Sequence, residues 1–201
     1  SDAYEPGSCF KPITLSLALQ ANEQLKKQGK KPLFVPEEKI STSSGFFPGR
    51  GNFPLSDGRK HNFLNMYMGL QKSSNVYVGK IVQRMVEHMG DKWYKQSLED
   101  IFGFGKKTQI ELPGETAGLV PTPKKLHPNG KLEWSLSTPY SLGIGHNIMV
   151  NSMQMLRAFS TIINGGFSIN PTLVKKIVKQ MPDGKEKILF DHSAKREKKQ
   201  V

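Results

Sequence analysis

The sequence predicts a mainly α-helical domain with a small β-hairpin near its C-terminus, and three observations predict it. Val78, Ile81, Val82, Met85, Val86 and Met89 recur at the i, i+3, i+4, i+7 spacing that gathers them on one face of a helix. Gly29, Gly90 and the Gly165-Gly166 pair stand where such stretches end, the place at which a helix favours a residue tolerant of positive φ. Two short apolar runs, 173–179 and 185–190, flank Pro182-Asp183-Gly184, the pattern of a hairpin turn. At 201 residues the chain is long enough for one domain with a sizeable core.

In chain order, the first helix is expected over 8–28, with Leu15, Leu17, Ala18, Leu19, Ala21 and Leu25 as its apolar face. Pro12 falls early in it, where a missing N–H costs less than deeper in a helix. Residues 30–60 read as a loop-rich insertion, since Pro32, Pro36, Gly45, Pro48, Gly49, Gly51, Pro54 and Gly58 interrupt any long regular element. Short strands such as 33–35 fit within it. A helical subdomain follows over 63–165. It holds helices over 63–72 and 75–89, then one capped by Asp91 and carrying Trp93, Tyr94, Leu98, Ile101 and Phe102. After a loop-like stretch over 103–134 comes a last helix, capped by Asn151 and running through Ile163. The hairpin occupies 171–190 and a basic tail 191–201.

Lys and Arg total 29 against 17 acidic residues, a net charge of +12. The charges lie in separate short clusters with no interleaved aromatics, so a solvated surface is expected rather than a nucleic-acid groove. No apolar run approaches the roughly 18 residues of a membrane span. The abrupt opening at Ser1, with neither basic nor apolar leader segments, reads as a piece of a longer protein. Cys9 is the single cysteine, and the five histidines fall in unrelated contexts, so neither an intrachain disulfide nor a metal site is expected.

Chemistry is suggested first by Ser8 and Lys11. Three apart on a helix, they share one face about one turn apart. A serine hydroxyl is a poor nucleophile near neutral pH and needs an adjacent base. Lysine can be that base when burial or neighbouring positive charge lowers its pKa. On spacing alone a helix cap followed by a solvent-facing lysine is the favoured reading of the pair. Ser73-Ser74-Asn75 falls between two expected helices, where short polar side chains can cap a terminus and still face a cleft; Ser168-Ile169-Asn170 has the same Ser-x-Asn form near the hairpin.

Together these segments resemble the transpeptidase domain of class B penicillin-binding proteins, the D,D-transpeptidases that cross-link peptidoglycan. Tyr4-Glu5-Pro6-Gly7-Ser8-Cys9-Phe10-Lys11 is similar to the family's nucleophile segment, with Cys9 where Thr is usual, and Lys72-Ser73-Ser74-Asn75-Val76 to its second motif. Ile110-Glu111-Leu112-Pro113-Gly114-Glu115 with Gly118 and Pro121, then Leu142-Gly143-Ile144-Gly145, then Asn164-Gly165-Gly166, follow in family order. The resemblance implies the helical subdomain of the α+β penicillin-binding/β-lactamase-like fold, with the central sheet incomplete. It implies Ser8 as nucleophile toward the penultimate D-Ala of a peptidoglycan stem peptide, Lys11 as base, Ser73 as proton relay and Asn75 as a substrate-binding residue. β-Lactam antibiotics would acylate the same serine, and no cofactor is needed. It further implies a longer protein anchored at the extracytoplasmic face of the bacterial inner membrane, working with divisome or elongation-complex proteins. Cys9 is read as a size substitute for Thr facing the core.

One departure stands out. The family's third motif, Lys-Thr-Gly, is absent: Lys106-Lys107-Thr108 is followed by Gln109. The resemblance places that motif beyond Val201, and the 201 residues alone are expected not to complete turnover, since losing one oxyanion donor costs about 10²–10³ in rate. The rivals are a class D-like or class A β-lactamase and a β-lactam sensor domain. The class A Glu-x-x-Leu-Asn segment is missing, and class D enzymes usually carry Ser-x-Val where this chain has Ser73-Ser74-Asn75.

Overall fold

The computed structural model describes residues 2–191 and 199–200. The helix expected over 8–28 begins as a 3-10 turn, Gly7–Phe10, and becomes α1 at Lys11–Lys27. Pro12 thus sits in the first turn of α1, where its lost N–H had no partner to lose. Ile13, Leu17, Ala18 and Ala21 are fully buried, and Leu19 is exposed.

The insertion is irregular, as expected, but 33–35 is not a strand. The Asn22 side chain takes the place of a strand partner: Leu33 N–H donates to Asn22 Oδ1 at 2.7 Å and Asn22 Nδ2 to Phe34 O at 2.8 Å. The strand lies later. β1 (Ile40–Ser41) pairs antiparallel with β2 (Phe63–Leu64). That pairing shortens the helix expected over 63–72 to α2, Met66–Gln71, because Phe63 and Leu64 go to the strand and Asn65 caps α2 by accepting from Met68 N–H.

α3 (Asn75–Met89) matches its apolar period; Val78, Ile81, Val82 and Met85 are all fully buried. It is the hub of the fold, packing against α1, α2, β1, α4 (Asp91–Asp100) and α5 (Thr138–Gly143). Gly90, at φ +85, occupies the N-cap of α4, so Asp91 is the first helical residue and not the cap. α5 was not expected. α6 (Ser152–Ile163) has the expected Asn151 cap, completed into a reciprocal box with Gln154.

β3 (Phe167–Ser168) pairs with β6 (Lys199–Gln200), and β4 (Lys176–Gln180) with β5 (Glu186–Asp191) in the expected hairpin. Among the described residues the sheets are these three two-stranded pairs, in keeping with a helical subdomain whose central sheet is incomplete. The basic tail expected over 191–201 lies outside the described residues apart from Asp191 and β6.

Candidate active site

The turn Gly7–Phe10 fixes the direction of four consecutive side chains. Phe10 is fully buried against Phe104, ring centroids 5.2 Å apart, and Lys11 is also buried. Ser8 and Cys9 between them face solvent, so Cys9 does not face the core; a tight turn cannot plant four successive residues on one side. The turn is held from outside. Tyr4 and Val150 exchange backbone hydrogen bonds at 2.9 Å, and Gly7 N–H donates to Gly145 O at 3.0 Å. Glu5 accepts from Asn147 N–H at 2.7 Å and lies 3.0 Å from His146 Nδ1. His146 and the Asn147 amide hold the Glu5 carboxyl below its ordinary range. Gly145, at φ +80, presses on the Gly7 backbone so closely that a Cβ there would sit 2.1 Å from Gly7 O. Leu142-Gly143-Ile144-Gly145 is therefore the backing of the Ser8 turn.

From the start of α1 the Lys11 side chain crosses to the turn between α2 and α3. Its ammonium donates to the Ser73 hydroxyl at 2.9 Å and also to the Ser73 carbonyl. Burial lowers the Lys11 pKa, opposed by the negative charge of Asp57. Lysine spends its charged form poorly here, the condition a base needs. Ser73 itself holds a left-handed backbone, φ +51, a conformation costly for a residue with a Cβ.

The residues after Ser73 explain how that conformation is kept. Ser74, fully buried, caps α3 by accepting from Tyr77 N–H at 2.9 Å and donates to Asp57 Oδ2 at 2.6 Å. Asp57 Oδ1 accepts from Asn75 N–H at 2.6 Å and Val76 N–H at 3.1 Å. Asn75 Nδ2 donates to Ser56 O at 2.8 Å. Sequence reasoning missed Asp57 because it sits in the Gly/Pro-rich insertion, with no period to mark it. The structure thus joins Lys11 to Ser73, sets Asn75 two residues on, and puts exposed Ser8 on the turn leading into Lys11. The other Ser-x-Asn segment is elsewhere, its Ser168 hydroxyl accepting from Arg157 Nε at 3.1 Å. Among the described residues no cluster of metal ligands occurs.

Residues 106–118 are knitted to α6 by two buried amides. Gln154 Nε2 donates to Lys106 O and Ala117 O, and Asn151 Nδ2 to Thr116 O at 2.7 Å. Glu115 accepts from Thr108 N–H and Oγ1 at 2.8 and 2.6 Å and from Gln109 N–H at 3.0 Å. The profile of the family described as "Penicillin binding protein transpeptidase domain" matches residues 1–201. The chain belongs to that family. Its curated relatives are class B penicillin-binding proteins: the peptidoglycan D,D-transpeptidase FtsI of Escherichia coli K12 is 29% identical over 90% of this chain, and stage V sporulation protein D of Bacillus subtilis 27% identical over 96%. The alignments cover 26% and 28% of those proteins, so the chain spans about a quarter of their length. Among solved structures, penicillin-binding protein 3 of Mycobacterium tuberculosis complexed with aztreonam superposes with a TM-score of 0.71 at 28% identity, covering 95% of this chain and 37% of that one. The transpeptidase domain of penicillin-binding protein 3 from Burkholderia pseudomallei gives 0.66 at 25% identity, covering 92% of this chain and 48% of that one.

Proposed function

We propose that this chain is the part of a serine D,D-transpeptidase that carries the nucleophile, its base and its proton relay, and that the longer protein cross-links peptidoglycan. The observation that carries the reading is the buried Lys11 amine, held 2.9 Å from the Ser73 hydroxyl one turn beyond an exposed Ser8. Burial favours the neutral amine, which takes the Ser8 proton as Ser8 Oγ attacks the carbonyl carbon of the penultimate D-Ala. The proton passes from Lys11 through the Ser73 hydroxyl to the departing nitrogen, the peptide bond breaks, and terminal D-Ala leaves an ester on Ser8. An acceptor amine from a neighbouring stem peptide then attacks that ester; its proton returns by the same relay to Ser8 Oγ as the C–O bond breaks. Asn75 hydrogen-bonds the substrate backbone. A β-lactam would acylate Ser8 through its ring amide.

The second oxyanion donor and the cation that meets the substrate carboxylate come, on this reading, from a Lys-Thr-Gly strand outside these 201 residues, so the chain alone does not complete turnover. Action on stem peptides places the longer protein at the extracytoplasmic face of the inner membrane, in a division or elongation complex. No helix among the described residues is long and apolar enough to cross a membrane. The test is incubation of the longer protein with a labelled penicillin, followed by peptide mapping. Persistent label on Ser8, absent in Ser8→Ala, is expected. Label that survives Ser8→Ala would sink the reading, and rapid release of label would turn it into a lactamase.

A further inference from the structure

We propose that Asp57 is the positioning residue of this site: the insertion delivers its carboxylate to the first turn of α3, and that contact holds Ser73 in the geometry that meets Lys11. The inference rests on the assignment of Lys11 and Ser73 to the chemistry and extends it to a residue that touches neither substrate nor Ser8.

The first N–H groups of α3 have no partner within the helix. Ser74 satisfies Tyr77 N–H; Asp57 satisfies Asn75 N–H and Val76 N–H and in addition accepts a hydrogen bond from the Ser74 hydroxyl. One carboxylate thus closes three hydrogen bonds at the end of a helix where negative charge is favoured. Ser73 immediately precedes this turn with φ +51, and such a backbone persists only where its surroundings over-determine it. Asp57 supplies that over-determination from one side and Lys11, through the Ser73 carbonyl and hydroxyl, from the other.

The insertion is built to bring Asp57 there. Leu55 N–H donates to Gly45 O at 2.9 Å, closing its neck, and Phe47 and Leu55 are buried over Gly79 of α3. Ser56 O holds the Asn75 amide in the same stroke. Asp57 is also the charged group that acts on Lys11: the amine meets the uncharged Ser73 hydroxyl and carbonyl on the α2–α3 turn, and the negative charge of Asp57 opposes the effect of burial on it. Asp57 therefore has two roles, geometric toward Ser73 and electrostatic toward Lys11, and they separate experimentally.

Asp57→Asn and Asp57→Glu are compared with the parent in the longer protein, with circular dichroism and thermal unfolding to show that each is folded. Two measurements follow: the pH profile of acylation by labelled penicillin, and direct titration of the Lys11 side chain by 15N NMR. Asp57→Asn is expected to slow acylation about 10- to 100-fold, the range of one or two lost charge-assisted hydrogen bonds. It also moves the Lys11 midpoint and the acid limb of the profile to lower pH, because the charge that favours the ammonium is gone. Asp57→Glu restores the Lys11 midpoint while leaving acylation slow. A folded Asp57→Asn with unchanged Lys11 midpoint and acid limb overturns the proposal, as does one that acylates at the parent rate. The NMR titration needs no reaction at Ser8, so it decides the role of Asp57 even if Ser8→Ala keeps its label and the functional reading falls.

Discussion

Replacing Lys11 with methionine should disable the site and stabilise the fold. Lys11 is only 1% exposed. Methionine keeps an unbranched chain of similar length, so repacking costs less than about 1.5 kcal/mol. Two hydrogen bonds to Ser73 are lost, each worth about 1.5–3 kcal/mol for a charged donor, while an ammonium whose desolvation costs several kcal/mol is removed. Burial is the largest influence on Lys11 and its pKa is lowered, so the folded environment as a whole disfavours the charge. The net sign follows from that lowered pKa and falls to methionine near neutral pH, where each 1 kcal/mol corresponds to about 2–4 °C in Tm for a domain of this size. The pH dependence follows from linkage. Unfolded lysine holds its proton to about pH 10.4, and folded Lys11 releases it earlier. Between those values the unfolded chain binds more protons, so the parent gains stability as pH rises. The advantage of methionine is thus largest below the folded pKa and narrows toward pH 10. Urea unfolding of both proteins at about pH 6, 7.5 and 9 measures it. If Lys11→Met is destabilised by more than about 1 kcal/mol at every pH, with no narrowing of the difference, burial does not govern Lys11 and the account of the base is wrong.

Asn151→Ala should lose about 1–2 kcal/mol in chemical denaturation, since it removes a helix cap and leaves Thr116 O without its donor. Gly145→Ala should abolish penicillin labelling and lower Tm, because its Cβ cannot coexist with the Gly7 carbonyl; normal labelling in that variant would show that the Ser8 turn can shift freely. Burial pushes the Glu115 carboxyl up, but hydrogen bonds from Thr108, Gln109 and Asn151 outweigh it and hold the group below its ordinary range. Its contribution is therefore present above the unfolded carboxyl pKa and lost as pH falls through the folded one, so Glu115→Gln should flatten the acid side of a stability–pH profile.

What could be read from sequence was whatever has a short period or a local signature. α3, α6 with its Asn151 cap, and the hairpin around Pro182-Asp183-Gly184 each declare themselves within a dozen residues or so. The errors came from distant partners. Phe63 and Leu64 look like the start of a helix until Ile40 and Ser41 pair with them. The short α5, Thr138–Gly143, carries Pro139 in its first turn and is too brief for any period to emerge. At the site, Ser8, Lys11, Ser73 and Asn75 stood out as motif letters, whereas Asp57 has no motif and acquires its place only when the insertion folds over α3. Cys9, expected to face the core, is exposed on the 3-10 turn.

The bond between Lys11 and Ser73 closes a span of 62 positions. Ser8 and Lys11 leave the ribosome almost together, yet a chain that has them and little else has a hydrated lysine and a serine without a relay. If the proposed chemistry holds, competence is a late product of folding, acquired when α1 docks on α3 and not before. On the proposed chemistry, an immature or damaged molecule would carry a quiet serine, unable to capture the peptides around it. A covalent probe added during refolding would count finished molecules one by one, and its time course would record the docking of those two helices.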